Sequence, residues 1–71
     1  MKVVIQNCTT RYFLDKDYWW QPNLSEAKEF RSSGEAAIFC VDQGLVDAQV
    51  VLKFNEHLDV FLPVGACVEA H

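Results

Sequence analysis

Cys8, Cys40, Cys67, His57 and His71 carry the atoms that could bind a soft metal or attack an electrophile. Structural zinc sites are built from Cys-x-x-Cys or His-x-x-x-His pairs, because a short spacing lets one turn present two ligands together. No such pair occurs here, so no metal site and no cofactor are expected. A thiol becomes a nucleophile when a base or a helix N-terminus stabilises its thiolate. Cys8 lies in a turn beside Thr9 and Thr10 with no base in view, and Cys40 reads as a small core hydrophobe inside a helix. His57 sits beside Glu56 in a hairpin loop, where a solvated polar tip explains it. Asp15 and Asp17 flank a turn, and Glu26 and Glu29 fall in the first turns of a helix. Both carboxylate pairs therefore have structural work, and acid/base chemistry gains no specific support. Gly34, Gly44 and Gly65 are isolated and form no phosphate-cradling loop. The chain is read as having no catalytic residues.

The aromatic residues carry more information. Trp19 and Trp20 are adjacent, so on a strand the pleat must send their rings to opposite faces. One packs under a helix and the other faces outward. Pro22 cannot donate to a ladder and ends that strand. Asn23 and Glu26 have the spacing of a capping box, which predicts a first helix from about Leu24 to Phe30. Ser32 and Glu35 repeat the signature ahead of a second helix from about Gly34 to Gln43, and Gly44 is its expected left-handed terminator. On a helical wheel Ala37, Ile38, Val41 and Leu45 share the face expected to pack inward. Glu35, Ala36, Phe39 and Gln43 take the other face, which leaves Phe39 as a large ring turned toward solvent or a partner.

Strands are predicted over Lys2–Asn7, Arg11–Asp15, Tyr18–Gln21, Ala48–Phe54 and Leu58–Leu62 from β-branched content and alternation. Ala48, Val50, Leu52 and Phe54 line one face of the fourth; Gln49, Val51 and Lys53 line the other. Asn55-Glu56-His57 makes a hairpin loop, Pro63 ends the last strand or marks a sheet edge, and the tail from about residue 64 is expected to be mobile. The order β-β-β-α-α-β-β predicts an α+β fold, an antiparallel sheet of four to five strands with two helices packed on one face. The far face would then carry Val4, Phe13, one tryptophan, Val51 and Phe61 with nothing to cover them.

Seventy-one residues make a single domain over residues 1–71, and 51% of them are hydrophobic, enough for a core. A chain this short buries only about 60% of its unfolded surface, so a partner would help it. Ten acidic residues oppose six Lys or Arg, for a net charge of −4. An acidic domain gains nothing from a phosphate backbone, so nucleic acid is not the expected partner. No stretch has the length of a membrane span, and the N-terminus does not read as a signal peptide. An odd, widely spaced set of cysteines reads as reduced thiols, which predicts a cytoplasmic location.

Arg11-Tyr12-Phe13-Leu14, Trp20, the run Leu24 to Ser32, and Glu35-Ala36 together resemble short bacterial proteins encoded in phage or mobile-element contexts. Those carry an aromatic hairpin, a Trp and an Ala-x-x-Phe-x-Ser-x-x-Glu-Ala helix pair. The resemblance covers about half the chain, stops near Gly44, and implies a fold element without an activity. The expected function is a non-enzymatic interaction module, a homodimer or the binder of an unidentified protein, with Trp19, Trp20, Phe39, Phe13 and Phe61 as the candidate surface. The alternative is a small-molecule or peptide binder that uses the outward tryptophan.

Overall fold

Val3, Val4 and Ile5 occupy consecutive positions and all three are fully buried. Only a strand covered on both faces hides successive side chains in this way. In a computed structural model that describes residues 2–54 and 59–64, this strand, β1 (Lys2–Asn7), lies at the centre of a five-stranded antiparallel sheet. The other strands are β2 (Phe13–Leu14), β3 (Trp20–Gln21), β4 (Ala48–Lys53) and β5 (Asp59–Val64), in spatial order β3-β2-β1-β4-β5. Among the described residues one α-helix forms, α1 (Ser33–Asp42), and it lies against β1 and β4. The fold is α+β, as the order of elements predicts, but with one α-helix rather than two among the described residues.

The expected first helix is absent because the main chain has other partners there. Leu24–Glu26 form one 3-10 turn, and Ala27 is already extended. Asn23 makes no side-chain cap, so the expected capping box does not form. Seven residues are too few to hold a helix without tertiary support. Meanwhile β2 diverges from β1 after the Gln6–Phe13 pair and leaves the edge of β1 open. Residues 27–30 fill that gap: Lys28 N–H donates to Leu14 O at 2.8 Å, and Phe30 N–H donates to Val3 O at 2.9 Å. Satisfying strand carbonyls outweighs the helical preference of an Ala-Lys-Glu run.

The second helix forms where expected. Ser32 Oγ accepts from Glu35 N–H at 3.1 Å, and the Glu35 carboxylate reaches back to Arg31 N–H at 2.9 Å. At the other end Leu45 N–H bonds to Cys40 O and Gly44 N–H to Val41 O, the paired closure of a Schellman motif. Gly44 has φ +65°, which a side chain would strain.

The helix presents a different face from the one its hydrophobic pattern suggests. Ala36 and Cys40 are buried against Val3, Ile5, Leu14, Ala48 and Val50, with Phe39 packed beside them. Ile38 and Val41, expected inside, are 63% and 71% exposed. Small residues at the crossing let α1 sit close to the sheet, while Phe39 reaches sideways to an aromatic cluster. Its ring meets Phe30 at 5.2 Å and Tyr18 at 5.4 Å, both edge-on. Phe39 is therefore not an outward misfit.

The far face also differs from expectation. Register places Val4, Val51 and Phe61 in one row, with Phe13 beside Gln6 on the same side. Yet Val4 and Val51 are fully buried within the chain, so the centre of that face is not bare. Residues 55–57 and the tail beyond Val64, expected as hairpin loop and mobile end, lie outside the described residues.

Candidate functional site

Asp15 organises the aromatic end of the molecule. One of its carboxylate oxygens accepts from Asp17 N–H and Trp19 N–H, each at 2.9 Å, and the other accepts from Gln21 Nε2 at 2.9 Å. Its backbone closes the same loop, with N–H to Trp19 O at 2.8 Å and O from Tyr18 N–H at 3.0 Å. The turn holds Tyr18 at φ +67°, a costly setting for a bulky residue. In consequence Trp19 stands 69% exposed while Trp20 packs on the core beside Leu14. Trp19 lies outside β3, which is shorter than the expected strand over Tyr18–Gln21, so its exposure follows from the turn rather than from a strand pleat.

The Trp19 N–H, followed by the Gln21 amide, the Asp17 N–H and the charge of Lys16, holds the Asp15 carboxyl below the usual carboxylate range, against an opposing cost of burial. A lowered folded value means that the native state binds fewer protons than the unfolded one. The resulting stability is present above the ordinary range and is lost as pH falls through the folded value. Urea midpoints of the wild type are expected to fall as the solution is acidified below about pH 4. Asp15→Asn should show a flatter acid limb and a lower midpoint at neutral pH; an unchanged limb would remove this role from Asp15.

A shallow cleft of about 370 Å³ adjoins this end, lined by Lys28, Glu29, Phe30, Glu35, Ile38, Phe39 and Asp42. Lys28 Nζ lies 5.3 Å from the Phe30 ring centre and 5.9 Å from that of Phe39, within range of a cation–π contact. Glu29 pairs with Lys2 at 3.5 Å on the surface, where such a pair contributes little. The cleft is thus an aromatic floor already occupied by the chain's own ammonium group.

The candidate surface residues do not form one patch. Trp19 lies beside β3, whereas Phe61, 45% exposed, lies on β5 at the opposite edge. Four strand spacings separate those edges, about 19 Å. Phe13 is half-buried on the far face, and Trp20 and Phe39 belong to the packing beneath α1. The helix wheel missed Ile38 and Val41, which add apolar area to the outer face of α1, and Val46 is exposed just beyond it. Ala36 and Cys40, small and four apart, were the available signal for the close-packed side.

Among the described residues no three His, Cys, Asp or Glu side chains gather as metal ligands. Cys40 is a free thiol, and burial pushes its pKa up, which makes it less reactive. Cys8 is disulfide-bonded, so the expectation of an all-thiol set fails at that position. Among the described residues no helix is long and apolar enough to cross a membrane. Compared with known proteins, the chain matches no family model, no curated protein and no solved structure.

Proposed function

We propose that this protein is a non-enzymatic interaction module that binds other protein surfaces, a second copy of itself first among them. The observation that carries the reading is the exposure of large apolar side chains at both sheet edges and on the outer face of α1: Trp19, Ile38, Val41 and Phe61. These side chains stand at separate places on the surface, and each offers apolar area that a partner would remove from water. The polar groups support the same reading, because they are engaged in structure. Asp15 staples a turn, Glu35 caps α1, and Cys40 is sealed in the core. A net charge of −4 favours a protein partner over nucleic acid. Sedimentation velocity from low to high micromolar concentration tests the homodimer. A rising weight-average mass supports it, and a monomer throughout removes it.

A second reading rests on Trp19 alone. An exposed indole beside an exposed Tyr18 suits a flat ligand or an extended peptide. A shift of tryptophan emission on titration, with no change in mass, would favour that reading; a silent indole across a ligand panel would end it. The compartment proposed from sequence is the cytoplasm. A disulfide at Cys8 weighs against it, since such bonds persist in oxidising surroundings. Alkylation of protein taken from its native host decides between them: labelling of Cys8 without reductant supports the cytoplasm, and labelling only after reduction opposes it.

A further inference from the structure

The hydrogen-bond parity of the sheet identifies one edge as a template for a second copy. Asn7 N–H bonds to Tyr12 O, and Val3 O accepts from Phe30, so the odd residues of β1 point their main-chain groups toward β2. The even residues, Val4 and Gln6 among them, therefore bond to Val51 and Gln49 of β4. Alternation then turns Ala48, Val50 and Leu52 toward β5, where they meet Val64, Leu62 and Val60. Among the described residues, what remains on the outer edge of β5 is the main chain of Asp59, Phe61 and Pro63. Pro63 has no N–H, and it falls at a position where β4 asks for none.

We propose that two copies pair antiparallel through β5, with the two-fold axis at Phe61. The proposal rests on the interaction-module reading and names its surface. With the axis there, each Phe61 N–H donates to the other Phe61 O, and each Asp59 N–H donates to the other copy's Pro63 O. Phe61 of one copy stands beside Phe61 of the other. On the opposite face Leu62, 37% exposed, stands beside the half-buried Val60. At the central positions Phe61 thus meets Phe61 and Val60 meets Leu62, while Asp59 falls at the ends of the pairing.

Neighbouring registers are worse. An axis at Val60 keeps as many hydrogen bonds but sets the Phe61 ring against the Asp59 carboxylate. An axis at Asp59 opposes two carboxylates directly, which is destabilising. An axis at Leu62 faces Phe61 with Pro63, which cannot return a hydrogen bond. The other edge of the sheet offers no equivalent, because β3 has only two residues. Pairing through β5 also consumes both copies' long edges, so the assembly closes as a dimer and does not extend. A single strand edge buries less than a standard interface, so the expected dissociation constant is on the order of tens of micromolar.

Sedimentation velocity and an isotope-filtered NOE experiment on a mixed labelled and unlabelled sample test the proposal. Val60 and Leu62 of the other copy form a non-hydrogen-bonded pair, so an intermolecular Hα–Hα NOE is expected between them. Phe61→Asp and Leu62→Lys should each weaken the dimer at least tenfold, with a folded monomer verified by circular dichroism. Ser25→Ala, exposed in the 3-10 turn and away from β5, should leave the dissociation constant unchanged. A dimer that ignores both β5 substitutions and lacks the NOE overturns the edge assignment and leaves the interaction module standing. A monomer at all concentrations overturns the homodimer and this interface together.

Discussion

Replacing Ile5 with alanine is expected to cost about 2–5 kcal/mol, while the same replacement at Ile38 costs less than about 0.5 kcal/mol. The residue type and the atoms removed are identical. The difference lies in position: Ile5 is fully buried in the central strand between α1 and its neighbours, and Ile38 is mostly in water. Truncating Ile5 forfeits its transfer energy and leaves a void that close-packed walls collapse only in part. A 71-residue chain has roughly 4–10 kcal/mol of total stability at typical values per residue, so the Ile5 variant loses a large fraction of it. Chemical denaturation of the two variants measures both. Equal losses, or a larger loss at Ile38, would mean that α1 is rotated and presents Ile38 and Val41 to the sheet.

Strand alternation was legible because its period is two and burial differs sharply between faces. Ala48, Val50 and Leu52 do face α1, and Gln49, Val51 and Lys53 do face away. The caps were legible at Ser32 and Gly44 because each acts through bonds only a few residues long. The helix face was not legible. Residues 36–41 read Ala-Ala-Ile-Phe-Cys-Val, apolar at every position, so the pattern has no preferred direction. What decides it is the distance of closest approach to the sheet, which favours Ala36 and Cys40, together with the waiting rings of Phe30 and Tyr18. The region from Leu24 to Phe30 failed for a different reason. Its local preferences are helical, but the open edge of β1 needs a donor, and that need is set by where β2 stops. As for the candidate site, adjacency of the two indoles announced that one would be exposed. Nothing local announced that Phe61 and Trp19 would stand at opposite edges.

The buried pair Gln6 and Gln49 sets up the second large effect. The two are register partners in β1 and β4, both nearly inaccessible, and Gln49 Nε2 donates to Gln6 Oε1 at 2.8 Å. Gln6 Nε2 in turn donates to Arg11 O at 3.0 Å, which ties the pair to the turn where Arg11 sits at φ +67°. Gln6→Leu removes the acceptor and strands part of the Gln49 amide in a buried site. Gln49→Leu does the reverse to Gln6. Each single change is expected to cost about 1–3 kcal/mol, because an unmatched buried amide loses water and gains nothing. The double variant should cost clearly less than the sum, with a coupling of about 0.5–3 kcal/mol, since two leucines side by side leave neither amide stranded. Strict additivity across the four proteins would show that the bond contributes nothing to folding. The same variant carries a second consequence. A two-residue slip of β1 along β4 would set Gln6 opposite Val51 or Asp47 and break the bond, so the pair penalises that slip. With two leucines the penalty disappears. The double variant should therefore keep most of its stability while its β1–β4 amide protons exchange faster than those of the wild type. Unchanged exchange rates would assign register to the flanking valines alone.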